Sequence, residues 1–395
     1  MGLGKTATAI RALDEIEAKS VLVLCPAVAC VNWSREFDRF SSYQRDTEIV
    51  SYGSLHKIDP EKRWDALILD ESHYLKSTDS KRSKLVLGSA GLVHRAKVIW
   101  ALSGTPAPNN ASELWPIMYT FGATPLLYGD FVEKYCTHRL VSGKHFQITG
   151  TKVHMIPELR ALLKPILLRE TAQSVGLELP PITHETVVVK SGKVGIPTEN
   201  ESILNRLERE RDLLKQFLST RNEDLSTIGD SISTLRRISG LRKISPVVEM
   251  VKGELESNAY RKIAIFAHHR EVIEGVFDGL GSFGSVHVYG GTKTHERQSA
   301  IDSFQKDPST RVFVGSIQAA GTAITLTEAT QVLFAEYDWV PGNNAQAVKR
   351  ANRIGSKNPL HVRFVSLNDP LDERVTRTLE RKTAELSGLF TVDRK

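Results

Sequence analysis

The sequence predicts an α/β fold made of two lobes, each built on a parallel sheet that helices cover. Short aliphatic or β-branched runs alternate with stretches of helical periodicity, first over residues 20–105 and again over residues 262–367. The apolar runs are continuous rather than alternating, which indicates strands buried on both faces. Regular alternation of strands and helices is typical of parallel sheets.

The order of elements along the chain sets the expected domain boundaries. Strands are predicted at 20–26, 47–52, 65–72 and 97–105, and again at 262–268, 285–291, 311–317, 330–336 and 361–367. Residues from about 110 to 180 are aromatic, turn-rich and basic in patches, and we expect them to protrude from the first lobe. The predicted units are therefore lobe 1 at 1–185, a helical linker at 186–257, lobe 2 at 258–370, and a C-terminal brace helix at 371–395 that packs on lobe 2.

Composition is that of an ordinary globular protein. The chain has 395 residues, of which 41% are hydrophobic and 25% are charged, and its net charge of +6 permits a polyanionic partner without requiring one. Cys25, Cys30 and Cys136 lack metal-binding or redox spacing and indicate core thiols in a reducing compartment. The longest apolar run is too short to span a bilayer, so no membrane partner is expected.

The first chemical motif is the opening sequence MGLGKT. Glycines followed by Lys5 and Thr6 at the start of a helix are typical of a phosphate-binding loop, in which backbone N–H groups cradle an anion. Lys5 would reach the β- and γ-phosphates, and the Thr6 hydroxyl would hold Mg²⁺. The first half of the usual pattern is absent, so a flexible start to an amphipathic helix is the alternative.

A second motif, LILDESH, supports the phosphate-site interpretation. An apolar strand ends here in Asp70 and Glu71, which places two carboxylates at the carboxyl edge of a parallel sheet, where ligands bind. Asp70 can bind Mg²⁺ through water, and Glu71 can orient and deprotonate the attacking water. The alternative, acids at the start of a helix, accounts for Glu71 but not for the strand before it.

Polar residues later in the chain complete the candidate site. The sequence LSGTP follows the next strand, and the Ser103 and Thr105 hydroxyls could relay a change at the phosphate to the other lobe. In QAVKRANRIG, helical spacing predicts that Gln346, Arg350 and Arg353 share one face. Two guanidiniums aimed across a cleft would act on the γ-phosphate, and a surface helix is the alternative.

Two other features of the sequence are not expected to form functional sites. The adjacent His268 and His269 have no third ligand at metal-binding spacing, so a metal site is not expected there. Trp33 lies at helical spacing from Phe37 and Phe40 and is predicted to be a core residue rather than a base-stacking platform.

Taken together, the motifs resemble those of the superfamily-two helicase-like ATPases of the Swi/Snf type, in particular the annealing-helicase branch. The resemblance covers nearly the whole chain in the correct order. It is carried by MGLGKT, VLCPAVACVNWSREF, ILDESHYLKS, ALSGTPAPNNASELWP, IAIFAHHREVIEG and the run VGSIQAAGTAITLTEATQVLFAEYDWVPGNNAQAVKRANRIG. It implies two RecA-like lobes that clamp ATP and Mg²⁺ while double-stranded or forked DNA lies across both.

The resemblance also implies roles for individual residues. Catalysis would fall to Lys5, Glu71, Arg350 and Arg353, and the nucleotide would also contact Gly2, Gly4, Thr6, Asp70 and Gln346, with Thr6 and Asp70 at Mg²⁺. DNA contact and coupling would involve Pro26, Tyr52, His73, Ser103, Thr105, Gly290, Gly291, Thr292 and Thr322. A monomer is expected, located in the cytoplasm at a bacterial or viral nucleoid, or in a eukaryotic nucleus.

Three functions are compatible with these patterns. The first is a DNA-dependent ATPase that translocates on double-stranded DNA and remodels replication or repair intermediates. The second is a strand-separating helicase of the same superfamily. The third, suggested by the short motif I and by Val348, Lys349 and Asn352 at positions where the family has other residues, is an N-terminally truncated nucleic-acid-binding protein without ATP turnover.

Overall fold

The computed structural model describes most of the chain. The described residues are 3–142, 145–172, 174–190, 230–320, 324–368, 372, 382–386 and 389–390. Gly2 and Thr322, both predicted site residues, lie outside these ranges, as does most of the predicted brace helix. Among the described residues no helix is long and apolar enough to cross a bilayer.

The first lobe is a four-stranded parallel sheet with helices on both sides. Its strands lie in the order β2-β1-β3-β4. In chain order the elements are α1 (Lys5–Glu15), β1 (Ser20–Cys25), α2 (Cys30–Phe40), β2 (Asp46–Ser51), β3 (Trp64–Asp70), α3 (Lys81–Leu87) and β4 (Ala96–Leu102). All four predicted strands are confirmed, each ending one to three residues earlier than expected, where the chain turns toward the site.

Both faces of this sheet are buried, as the continuous apolar runs predicted. Leu22, Leu24 and Leu67 pack on one face, and Val21 and Val23 pack on the other. Successive side chains of a strand point to opposite faces, so a run in which every residue is apolar fits only a sheet covered on both sides.

The protrusion, which lies between the two lobes along the chain, forms its own small hydrophobic core. It contains α4 (Trp115–Thr120), α5 (Tyr128–Tyr135), the antiparallel pair β5 (Cys136–Ser142) and β6 (His145–Thr151), and α6 (Ile156–Leu163). Phe131, Tyr135 and Leu159 are fully buried within it. The segment expected to break the parallel pattern therefore does so, with the only antiparallel pairing among the described strands.

The second lobe is a six-stranded parallel sheet in the order β7-β12-β11-β8-β10-β9. Its elements are β7 (Ile182–Val189), α7 (Asp230–Glu256), β8 (Ile263–Ala267), α8 (Arg270–Gly279), β9 (Ser285–Val288), α9 (Thr294–Lys306), β10 (Val312–Ser316), α10 (Ile317–Ala320), β11 (Gln331–Phe334), α11 (Pro341–Ala351) and β12 (Leu360–Leu367). The five strands predicted for this lobe are confirmed.

Residues predicted to end lobe 1 and to form the linker belong instead to the second lobe. Strand β7 was not predicted, and it pairs along its whole length with β12, so the second sheet begins at Ile182. Helix α7 carries Val247, Val251 and Leu255 at four-residue spacing, and all three are buried against the sheet. A helix that buries such a stripe covers a lobe rather than bridging two.

The C-terminal segment contacts both lobes. Asp372 forms a buried ion pair with Lys243 of α7, at 2.5 Å between Nζ and Oδ2, which anchors the segment to the second lobe. Leu386 and Leu389 then pack in the core of the protrusion, and Glu385 accepts a hydrogen bond from the N–H of Thr151. The predicted packing on the second lobe therefore describes Asp372 but not Leu386, Leu389 and Phe390, whose side chains pack in the protrusion.

This arrangement predicts that the C-terminal segment stabilises the protrusion. Leu389 is 2% exposed, and we expect Leu389→Ala to lower the free energy of unfolding by about 2–4 kcal/mol, because it removes buried apolar contacts and leaves a cavity. Thermal denaturation would measure the loss. Leu168→Ala is the control because Leu168 is 84% exposed; equal losses for the two variants would contradict the assignment.

Candidate nucleotide site between the two lobes

The chain enters α1 through a backbone conformation that suits glycine. Gly4 has φ of 77° and ψ of 27°, in the left-handed region, and its carbonyl accepts the N–H of Thr8 at 2.9 Å. Lys5 and Thr6 follow in the first turn. A side chain at position 4 would be strained by this φ, and the first N–H groups of α1, which have no partner within the helix, could face an anion.

Asp70 ends β3 and is fixed by three hydrogen bonds. The indole Nε1 of Trp33 donates to Oδ2 at 2.9 Å, and the N–H of Glu71 donates to Oδ1 at 3.0 Å. The hydroxyl of Tyr52 donates to the carbonyl oxygen of Asp70 at 2.9 Å. Burial raises the pKa of Asp70, while the Trp33 hydrogen bond and the charge of Lys5 oppose that rise.

Glu71 lies beside Lys5 and His73 rather than beside the donors that hold Asp70. Its Oε1 lies 3.9 Å from Nζ of Lys5, and its Oε2 lies 3.3 Å from Nδ1 of His73. Burial alone would raise the pKa of Glu71, but His73, Lys5 and Arg350 outweigh it and lower the pKa to about 2. Apart from this His73 contact, the buried Oε2 has no polar partner among the described residues.

The backbone of Glu71 is also unusual. Its φ of 48° and ψ of 52° lie in the left-handed region, which few residues other than glycine adopt. Strained conformations of this kind persist where the surrounding structure enforces them, and they cluster at functional sites. Here the conformation turns the chain sharply after β3, so that Asp70 and Glu71 present adjacent carboxylates at one edge of the sheet.

A row of polar side chains runs from Glu71 into the second lobe. His73 Nδ1 lies 3.2 Å from Oγ of Ser103, which accepts the N–H of Thr105 at 3.0 Å. The Thr105 hydroxyl in turn accepts a hydrogen bond from Nε2 of Gln346 at 2.5 Å. These contacts connect the end of β3 to the loop after β4 and then to α11, and a relay through the two hydroxyls stays a prediction.

The two arginines occupy different positions. Arg350 lies in the last turn of α11 and is close enough to Glu71 to influence its charge; burial lowers the pKa of Arg350, and Glu71 opposes that shift. Arg353 lies beyond the end of the helix, and its Nη1 donates to Oγ1 of Thr325 at 2.9 Å. The prediction that Arg353 shares a helical face with Gln346 and Arg350 is therefore wrong, because α11 ends at Ala351.

The predicted DNA-contact residues divide into two groups. Pro26 and Tyr52 are buried, and the Tyr52 hydroxyl points inward to Asp70, so neither is placed to grip a phosphate. Gly290 and Gly291 are exposed after β9, and Thr292 closes their turn by accepting the N–H of Tyr289 at 3.0 Å. Contact between this turn and DNA stays a prediction.

Sequence reasoning missed the polar role of Trp33. The side chain is 1% exposed, which confirms its prediction as a core residue. Its Nε1, however, reaches Asp70 across 37 residues of sequence. Helical spacing from Phe37 identifies the buried face of α2 but carries no information on which carboxylate that face meets.

The oxygen ligands present suit Mg²⁺. Magnesium prefers carboxylate and hydroxyl oxygens, and it usually keeps several waters when it binds beside phosphates. Each oxygen of Asp70 accepts one hydrogen bond and keeps a second acceptor position, and the Thr6 hydroxyl lies in the first turn of α1. Asp70 and Thr6 could therefore hold the metal, and the N–H groups at the start of α1, with Lys5, could hold the phosphates.

Comparison with known proteins agrees with this geometry. A family model described as the SNF2-related domain matches residues 43–244, and one described as the helicase conserved C-terminal domain matches residues 243–355. The first match includes Asp70 and Glu71, and the second includes Arg350. The chain belongs to the SNF2-related family of helicase-type ATPases.

Several curated proteins of this family are similar to the chain. DNA annealing helicase and endonuclease ZRANB3 of Mus musculus is 29% identical over 100% of this chain and 39% of its own length. The SWI/SNF-related matrix-associated actin-dependent regulator of chromatin subfamily A-like protein 1 homolog of Caenorhabditis elegans is 28% identical over 97% of this chain and 57% of its own length. The chain thus spans about two fifths to three fifths of these relatives.

One solved structure is also similar in sequence. The Sulfolobus solfataricus SWI2/SNF2 ATPase core in complex with dsDNA is 21% identical, with 100% of this chain and 92% of that chain covered and a TM-score of 0.39.

The different positions of the arginines predict unequal losses. We expect Arg350→Ala to lower ATP turnover by roughly 10³-fold or more, the range for arginines that stabilise a transferring phosphoryl group. Arg353→Ala should cost less, because Arg353 donates to Thr325 and, unlike Arg350, is not among the charges that lower the pKa of Glu71. Steady-state ATPase rates of the two variants would measure the difference, and equal losses would contradict the distinction.

Proposed function

We propose that this member of the SNF2-related family is a DNA-dependent ATPase that moves along double-stranded DNA and remodels replication or repair intermediates. The observation that carries the proposal is the continuous site formed by both lobes. Carboxylates and a phosphate-type loop come from the first lobe, and Arg350 comes from the second, within electrostatic reach of Glu71. A site divided in this way can couple phosphate chemistry to relative movement of the lobes.

In the proposed reaction each residue has a distinct part. The N–H groups of α1 and the Lys5 ammonium bind the phosphates, and Asp70 with Thr6 holds Mg²⁺, which neutralises phosphate charge when bound. Glu71 orients the attacking water and accepts its proton at a carboxylate oxygen. Arg350 stabilises negative charge that develops on the transferred group.

The residues around Glu71 make its carboxylate a poor base. Its pKa of about 2 means that the carboxylate holds a proton weakly while Lys5 and Arg350 face it. Phosphates that attract Lys5 would remove a cation from Glu71 and place anions near it, and both changes raise the pKa. Proton acceptance by Glu71 is thereby tied to nucleotide binding.

The polar row from His73 to Gln346 provides a path between chemistry and movement. Thr105 and Gln346 join the lobes through one neutral hydrogen bond, and the N–H of Gly342 donates to the carbonyl of Pro108 at 3.2 Å nearby. A Cβ on Gly342 would lie 2.9 Å from Pro108, so the close approach of the lobes here depends on glycine. DNA as the polymer that is moved is supported by the names of the relatives, which include a DNA annealing helicase.

The proposed function predicts ATP hydrolysis that double-stranded DNA stimulates. The measurement compares ATPase rates with blunt duplex, forked DNA, single strands and no nucleic acid, and adds displacement of a third strand from a triplex. A translocase should displace the third strand from a blunt duplex, because it tracks the intact helix. Rates that respond to none of the nucleic acids would contradict the proposal, and separation of tailed duplex without triplex displacement would favour the strand-separating alternative.

The role of Glu71 predicts a separation of binding from turnover. We expect Glu71→Gln to retain nucleotide affinity and to lose ATP turnover by roughly 10²-fold or more, since the amide keeps the size of the side chain and cannot accept the proton. Equilibrium binding of a fluorescent ATP analogue and steady-state turnover would be measured together. Turnover close to that of the unaltered protein would remove Glu71 from the proposed chemistry.

A further inference from the structure

Asp70 is fixed by two aromatic side chains from different elements of the first lobe. Trp33 comes from α2 and donates to the carboxylate oxygen Oδ2 at 2.9 Å, whereas Tyr52 follows β2 and donates to the carbonyl oxygen at 2.9 Å. The two residues are 1% and 5% exposed. One donor therefore fixes the side chain of Asp70, and the other fixes its backbone.

Both donors are themselves held in place. The ring of Trp33 packs against Phe37, with centroids 5.9 Å apart. Tyr52 stacks on Tyr74 at 5.6 Å with an interplanar angle of 11°, and the guanidinium of Arg82 lies 5.6 Å and 5.3 Å from the two ring centroids. Stacked and buried rings have few alternative rotamers, so the two donors present their N–H and O–H groups in one orientation.

The choice of neutral donors has a chemical consequence. An indole N–H can only donate and carries no charge, so it orients the carboxylate without adding a cation that would repel Mg²⁺. The ammonium of Lys5 lies 3.9 Å from Oε1 of Glu71, and it acts on Asp70 through its charge rather than through an ion-pair contact. Asp70 is thus oriented while both oxygens keep acceptor capacity for a metal or its waters.

We propose that Trp33 and Tyr52 are positioning residues that clamp Asp70 in the orientation required to hold Mg²⁺. The inference rests on the proposed function, because it gives these two residues a role toward the metal of that site. It also changes the interpretation of Tyr52, which the sequence placed among the DNA contacts. Substitution of residues that hydrogen-bond a metal ligand without contacting the metal typically changes metal affinity or activity by roughly 10–100-fold.

The test separates binding of metal from binding of nucleotide. A fluorescent, non-hydrolysable ATP analogue is titrated against the full chain, first in EDTA and then at increasing Mg²⁺, and half-saturating Mg²⁺ is read from the gain in affinity. Trp33→Phe should leave affinity in EDTA unchanged and raise half-saturating Mg²⁺ by roughly 10-fold or more, because it keeps an aromatic ring at this position and removes the donor. Tyr52→Phe should raise it by a smaller factor, because it frees a backbone carbonyl rather than the carboxylate.

The chain offers a matched control in Trp64. This tryptophan lies at the opposite end of β3, is 2% exposed, and its Nε1 has no hydrogen-bond partner among the described residues. Trp64→Phe should therefore leave the Mg²⁺ requirement unchanged. The clamp would be overturned if half-saturating Mg²⁺ for Trp33→Phe lay within twofold of the value for this control. It would also be overturned if Trp33→Phe lost nucleotide affinity equally in EDTA and in Mg²⁺.

The outcomes also separate this inference from the proposed function. If the unaltered protein shows no Mg²⁺-dependent gain in nucleotide affinity, the proposed function itself fails. If that gain is present and both Phe variants retain it at the same Mg²⁺ concentration, only the clamp is wrong. Should Trp33→Phe not fold, as judged by thermal denaturation against Trp64→Phe, Tyr52→Phe carries the test, and an unchanged Mg²⁺ requirement in that variant overturns the clamp.

Discussion

The structure depends on keeping two adjacent carboxylates charged at the end of one strand. Asp70 and Glu71 lie in surroundings that disfavour charge, and each would repel the other. The fold solves the two problems separately. Neutral donors surround Asp70, whereas Lys5, His73 and Arg350 surround Glu71, and this division leaves one acid oriented and the other strongly ionised.

That division explains why distant parts of the chain meet at this point. The donors to Asp70 come from α2 and from the residue after β2, and β2 is separated from β3 by β1, with which both pair in parallel. The cations at Glu71 come from the start of α1 and from α11 of the other lobe. The candidate site at the end of β3 thus needs residues from both lobes. Because it is complete only when the lobes are together, its chemistry is sensitive to their separation.

The sequence predicted those parts of the molecule that depend on local pattern. Continuous apolar runs identified the strands of both lobes other than β7, and Gly-Lys-Thr with Asp70-Glu71 predicted the part of the candidate site that the first lobe supplies. Strand β7 was missed because it is a largely exposed edge strand, so ITHETVVV lacks the continuous apolar pattern of its neighbours. The end of α11 before Arg353 and the contact from Trp33 to Asp70 depend on tertiary packing, which spacing along the chain does not encode.

The contacts between the lobes differ in kind from the cores within them. Thr105 with Gln346 and Pro108 with Gly342 are joined by single neutral hydrogen bonds, each worth about 0.5–1.5 kcal/mol net. The sheets, by contrast, are covered on both faces by large apolar clusters. Such weak direct contacts can be exchanged for contacts with water at small cost, whereas each lobe stays intact. A nucleotide held by both lobes would add to these contacts and favour closure, while the C-terminal segment also joins the lobes through the Lys243–Asp372 ion pair and the core of the protrusion.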